Sequence, residues 1–257
     1  MGLVAILYKL VPESPILVAC NRESHIDRPC QAPTIQSGKP RILASLDSQS
    51  GGMLLGVNQQ GMFVGATRRK KLNAPYTSKS PEMLCRNMLR ANSARQALDL
   101  AMEELYSNQY EGLNIVVADA ESGWVIHGGN ELEAVELDEG LSIVGNQDVN
   151  DPRDERVALT RRLLTLQMLD SPVKFLAVAS KVFARGPVGP GRPSMVVREP
   201  NLSTCSSTLI ALGKKPRDAI FQFSAGAPDK AKYEDYSPML RDILSRGLRE
   251  SRTRAKA

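Results

Sequence analysis

Leu17-Val18-Ala19-Cys20-Asn21-Arg22-Glu23-Ser24 is an apolar run that ends in a polar cluster, a cation and a carboxylate side by side. Such a run reads as a buried strand that delivers ionisable groups to its tip, where a pocket can use them. Residues two apart in a strand share a face. Cys20, Arg22 and Ser24 are therefore expected on one side, and Asn21 and Glu23 on the other. The plainer reading, solvated charges where a strand meets a loop, stays open at this point.

The rest of the chain alternates in blocks. Leu3–Leu10 pairs with the opening run through a Pro12-Glu13-Ser14-Pro15 turn. A Pro- and Gly-containing loop from His25 to Pro40 precedes a strand at Arg41–Leu46. Gly51–Val57 and Met62–Ala66 flank Asn58-Gln59-Gln60-Gly61, a hairpin signal. Two helices follow, Pro81–Leu89 and Ser93–Tyr106, with Ser80 and Ser93 as caps. Strands are expected at Leu113–Ala118, Trp124–His127, Glu133–Leu137 and Leu141–Val144, with His127 structural. Asn150-Asp151-Pro152 is expected to cap a helix from Arg153 to Leu169, and Pro172 opens another to Ala184. Arg185–Pro200 is irregular, a lid or a loose excursion. A strand pair at Ser206–Leu212 and Ala219–Phe223 precedes a last helix, Pro238–Leu248. Short strands joined by tight turns indicate antiparallel sheets. Two such sheets with helices outside them give an α+β, four-layer αββα sandwich.

Composition bounds the function. With 257 residues, 42% hydrophobic and 24% charged, the chain is ordinary globular material, and no linker divides it. The expected division is one domain over residues 1–245 and a basic tail over 246–257. No apolar run is long enough for a membrane span, and the N-terminus shows neither a secretory leader nor, with Ile6 in place of Ser or Thr, a myristoylation signal. Cys20, Cys30, Cys85 and Cys205 form no Cys-x-x-Cys pair, and with two histidines no zinc spacing arises. Reduced thiols in a cytoplasm are expected, with no metal and no cofactor. Residues 241–257 hold most of the +5 net charge, on Arg241, Arg246, Arg249, Arg252, Arg254 and Lys256. Such a segment reads as a frayed, solvated end, or as one that holds nucleic acid, anionic lipid or an acidic partner. The body is not a nucleic-acid binder by this reading.

At Asn21-Arg22-Glu23 the chain resembles the NRDE family, named for an Asn-Arg-Asp-Glu motif and including the Transport and Golgi organisation 2 proteins. Arg28-Pro29, Leu46-Asp47 with Gly51-Gly52-Met53-Leu54-Leu55-Gly56, Gly61, Gly112-Leu113-Asn114 and Gly145-Asn146 match further family segments. The match covers about 150 residues from the N-terminus. That family is similar in turn to the N-terminal nucleophile (Ntn) hydrolases, whose fold is an αββα sandwich. The resemblance implies a catalytic set of Gly2 at the nucleophile position, Arg22 steadying it, Asn58 as oxyanion donor and Asn146 as a second pocket amide. It implies substrate contacts at Cys20, Asn21, Glu23 and Asp47. Family members are associated with lipid, acyl-CoA and haem handling, and the partner implied is a small acyl or lipid-like ligand.

Three departures cut against hydrolysis. The family begins Met-Cys and this chain Met1-Gly2, so removal of the methionine leaves an amine without a nucleophilic side chain. Ser24 stands where the motif has an acid. Ser206-Ser207-Thr208 replaces an arginine near the last strand pair. The expected function is accordingly a ligand-binding or degenerate member. The alternative is an amide or thioester hydrolase or acyltransferase with a displaced nucleophile, for which Cys20, beside Arg22, is the candidate.

Overall fold

The computed structural model describes residues 2–28, 30–72, 77–189 and 191–254. Met1, Pro29, Pro190 and the last residues of the basic tail, Lys256 among them, lie outside the described residues. The strands, in chain order, are β1 (Gly2–Tyr8), β2 (Ile16–His25), β3 (Thr34–Gln36), β4 (Ile42–Ala44), β5 (Leu55–Asn58), β6 (Phe63–Arg68), β7 (Leu113–Ala118), β8 (Gly123–Gly128), β9 (Leu132–Glu136), β10 (Gly140–Val144), β11 (Leu202–Leu212), β12 (Ile220–Ser224) and β13 (Glu234–Asp235). The helices are α1 (Pro81–Met88), α2 (Ala94–Ser107), α3 (Glu155–Leu164), α4 (Pro172–Phe183) and α5 (Ser237–Arg254).

Two antiparallel sheets result, one ordered β10-β1-β2-β11-β12-β13 and the other β3-β4-β5-β6-β7-β8-β9. The chain is the α+β sandwich that its strand and helix blocks predict. β1 shows why its sequence is apolar without alternation: both of its faces are covered. Val4, Ile6 and Tyr8 meet Leu43, Val57, Phe63 and Val116 of the other sheet, whereas Leu3, Ala5 and Leu7 pack under Phe175, Leu176 and Phe183 of α4. α1 and α2 cover the second sheet through Leu84, Met88, Ala97 and Leu98. Each large side chain so buried contributes about 1.5–3 kcal/mol. Stacking of the four layers therefore rests on these faces.

Ser80 and Ser93 cap α1 and α2 as expected, accepting from the N–H groups of Met83 and Gln96. α3 starts later than expected. Its cap is Asp154, which accepts from Arg156 and Val157 N–H, while Asp151 is engaged by Arg153 instead. Two short strands, β3 and β13, lie inside segments without strand character in the sequence. α5 runs through Arg254, so the expected boundary at 245 falls inside a helix that packs Leu240 and Ile243 into the inter-sheet core.

One further expectation is corrected. Cys30 and Cys205 form a disulfide, Cα–Cα 6.0 Å, and only Cys20 and Cys85 are free thiols. The bond ties the loop after β2 to the point where the β2–β11 register shifts, between Thr204 and Ser206. In the 185–200 segment, read from the sequence as a lid or a loose excursion, the described part around Met195 is anchored to the body. Met195 is fully buried in the core beneath α3 and α4, and its carbonyl accepts from Asn21 and Arg156.

Candidate functional site

The register of β1 and β2 places Gly2 opposite Arg22, and that of β1 and β10 places Val4 opposite Val144. Continuing the second register brings the half-buried Asn146 level with Gly2. Thr67, at the end of β6, faces them from the other sheet: its hydroxyl donates to the Gly145 carbonyl at 2.6 Å. Asn114 of β7 donates to the same carbonyl at 3.1 Å. Two of the expected catalytic positions, Gly2 and Arg22, therefore do meet, with Asn146 beside them.

A cleft of about 210 Å³ opens there, lined among others by Arg22, Ser24, Arg28, Thr67, Lys79 and Glu82. Its floor is a fixed ion cluster. Asp47 takes Arg28 at 2.6 Å on Oδ1 and Arg22 at 3.2 Å on Oδ2, and Arg28 also reaches Glu82 at 2.9 Å. Ser50 N–H and Oγ, and Gln49 N–H, complete the Asp47 shell. Burial alone would raise the Asp47 carboxyl, but the bonds from Arg28 and Ser50 outweigh it and hold it well below the usual carboxylate range. Gly52 makes this turn workable: a Cβ there would lie 2.3 Å from the Glu82 carbonyl carbon, so only glycine lets the start of α1 dock on it. Asp47 is thus the anchor of both arginines, and its carboxylate is occupied by protein partners.

Asn21 and Glu23 lie on the other face of β2, as strand periodicity requires, and that face belongs to the helices. Asn21 Nδ2 donates to the carbonyls of Phe183 at 2.9 Å and Met195 at 2.8 Å. Glu23 is ion-paired with Arg156 of α3. Asn21 thus holds the α3–α4 layer in place of the expected substrate contact, whereas Glu23 holds α3 and also borders the cleft.

Asn58 is displaced in the same sense. It is fully buried at the far end of β5, about 10 Å along the strand from Leu55, which lines a small cavity with Arg22. Its amide donates to the carbonyls of Leu89 and Ala91, and its oxygen accepts from Gln60 and Met62 N–H. All four bonds stabilise the β5–β6 hairpin, where Gly61 takes φ +82°, and the turn between α1 and α2. Asn58 is not an oxyanion donor in this arrangement.

Cys20 shares the inward face with Arg22, but burial pushes its thiol up to about 12, Glu23 adds to this, and Arg22 opposes it only in part. A protonated, enclosed thiol is a poor nucleophile. His127 is structural, as expected: Nδ1 bonds Asn114 Oδ1 at 2.8 Å and Nε2 accepts from Val149 N–H. Among the described residues no group of His, Cys, Asp and Glu is arranged to hold a metal ion, and no helix is long and apolar enough to cross a membrane. Thr67 is the residue that sequence reasoning missed. Its signal is a polar side chain two residues beyond Gly65 on the same face as Phe63.

The sandwich with a strand terminus opening into an inter-sheet cleft is the Ntn-hydrolase fold. A Caenorhabditis elegans N-acylethanolamine-hydrolyzing acid amidase ortholog superposes with TM-score 0.51 at 14% identity, covering 81% of this chain and 92% of that one. Penicillin V acylase from Agrobacterium tumefaciens superposes with TM-score 0.50 at 14% identity, covering 88% and 83%. At such identity the likeness is one of fold. Sequence supplies the family: the Transport and Golgi organisation 2 model matches residues 1–172, and the chain belongs to that family. Comparison with curated protein sequences finds no match.

Proposed function

We propose that this protein holds a small acyl or lipid-like ligand in the cleft beside Gly2 and Arg22, and that it does not hydrolyse it by the Ntn route. One observation carries the reading. A Cβ at Gly2 would lie 3.2 Å from the Asn21 carbonyl oxygen and 3.4 Å from Thr67 Cγ2. The first contact is tight and its partner is backbone within the sheet, so a side chain there needs a shift of a few tenths of an ångström; the second is ordinary van der Waals contact with a threonine fixed by its bond to Gly145. The place a nucleophilic side chain would need is thus already closely packed. Preorganised donors stabilise a transition state only after a nucleophile has attacked.

What the cleft retains is suited to binding. Leu54, Ala66 and Leu113 supply apolar wall, and Arg22, Ser24 and Lys79 supply polar contacts. A volume of about 210 Å³ takes a head group or a short chain, below the range of about 300–1,000 Å³ that encloses a whole drug-sized molecule. The hydrolase alternative depends on Cys20, whose burial opposes it.

Native mass spectrometry of the protein as purified from cells tests this reading. The expected spectrum shows a non-covalent mass that is lost on denaturation, and Arg22→Gln lowers its occupancy. A covalent acyl adduct on Cys20, or amide or thioester turnover abolished by Cys20→Ser, would establish the hydrolase instead. A clean unliganded mass, with no thermal shift from fatty acids or acyl thioesters, would dismiss the binding role.

A further inference from the structure

The cationic residues of α5 up to Arg252 form one surface with the turn before β12, at the end of the sandwich away from the Arg22 cleft. α5 is pinned on one side: Arg241 Nε donates to the Ala219 carbonyl at 2.8 Å, and Glu250 accepts from Gln59 at 2.8 Å. Gly247 lies so close to the β5–β6 hairpin that a Cβ would be 2.0 Å from the Gln59 carbonyl oxygen. With Leu240, Ile243 and Gly247 turned inward, helical spacing turns Ser245, Leu248, Arg249 and Arg252 outward as one stripe. Beside it runs the tight turn Lys215-Pro216-Arg217. The two segments line an open groove of about 410 Å³.

The charge on this shelf is only partly compensated. Among the described residues, Lys215, Arg249 and Arg252 enter no ion pair, and Arg217 meets only Asp218 at 3.7 Å. Of the neighbouring acids, Asp242 pairs with Arg246, whereas Glu250 accepts from the neutral Gln59 amide and keeps its charge. Leu248, 42% exposed, stands among these cations.

We propose that this shelf docks the protein on an anionic membrane surface. Lys215, Arg217, Arg249 and Arg252 face the lipid head groups, and Leu248 enters the head-group zone. Charge complementarity calls for a polyanion, and two features select a bilayer over a nucleic acid. The shelf offers no aromatic side chain on which bases could stack. Its one large apolar group is exposed at the centre of the charge, where it gains only by leaving water. Each cation near such a surface strengthens binding about fivefold, and salt screens the effect.

Sedimentation of the full-length protein with phosphatidylcholine vesicles, with and without phosphatidylserine, tests the assignment. Binding is expected with phosphatidylserine alone and is reversed by salt. The Arg249→Gln, Arg252→Gln double variant weakens it about 25-fold, two fivefold steps, without shifting the melting temperature. Leu248→Ser weakens it while leaving the salt dependence intact. Equal pelleting with neutral vesicles, or none with either at low salt, overturns the proposal. So does binding to RNA or DNA that is lost in the same double variant while vesicles are ignored.

Discussion

Asp47→Asn removes one charge from the floor of the cleft and keeps the shape of the side chain. The carboxylate is fully buried and pairs with Arg22 and Arg28, whose side chains are 13% and 18% exposed. Breaking a buried ion pair by removing one partner costs about 3–5 kcal/mol. Because both arginines keep some access to water, and Arg28 keeps Glu82, the lower end applies, about 3 kcal/mol at neutral pH. For a chain of this size that is a fall of about 6–12 °C in melting temperature. The pH dependence gives a sharper test. The folded carboxyl is depressed below its ordinary value of 3.8. Its stabilisation is therefore complete above that value and is lost as pH falls through the lower folded value. Melting curves of both proteins across acid pH should converge, since protonated Asp47 and the amide of the variant are both uncharged. A gap that stays constant down to the acid limit would refute the charge argument and leave only geometry. No gap at neutral pH would mean that Asp47 does not anchor the arginines at all.

Two further outcomes bear on residues placed away from the cleft. Asn58→Ala strands the buried carbonyls of Leu89 and Ala91 and should cost about 3 kcal/mol by denaturant melts, with ligand occupancy of the folded protein unchanged. Loss of ligand at unaltered stability would return Asn58 to the site. His127 is held neutral, its pKa lowered from 6.5 by burial first and by Arg69 second. Its contribution is therefore present above 6.5 and is lost as pH falls from there toward the lower folded value, where the unfolded chain binds more protons. His127→Gln should flatten the melting profile between about pH 7 and 5. An unchanged slope would refute the assignment.

The layers were legible because they are set by periodicity. β7 begins and ends where the run Leu113–Ala118 does, and the serine caps place both helices of the second sheet to within a residue. What escaped has no periodic signal. β3 and β13 are short edge strands whose pairing is conferred by a neighbour. The disulfide joins cysteines 175 residues apart, a separation at which spacing carries no information. α5 outran its expected end because the arginines that make its last turns look like a frayed tail are compatible with a helix. Close contact of Gly247 with the hairpin holds it in place.

The site was half legible, for a reason that lies in the motif itself. Asn21, Arg22 and Glu23 are neighbours in sequence and were expected to act at one pocket. Strand geometry divides them: the Arg22 side chain sits on the cleft floor, whereas Asn21 and Glu23 fasten α3, the end of α4 and Met195 to β2, with Glu23 also bordering the cleft. The motif is thus two devices back to back on one strand. Its helix-facing half is needed for folding whether or not chemistry occurs on the other side, so its presence is no argument for catalysis. The decisive position is instead Gly2, where close packing by the Asn21 carbonyl and Thr67 accompanies the missing side chain. A side chain restored there needs the strand beside Asn21 to yield by a few tenths of an ångström and would lie in van der Waals contact with Thr67, so the binding reading rests first on the missing nucleophilic side chain and only second on this packing.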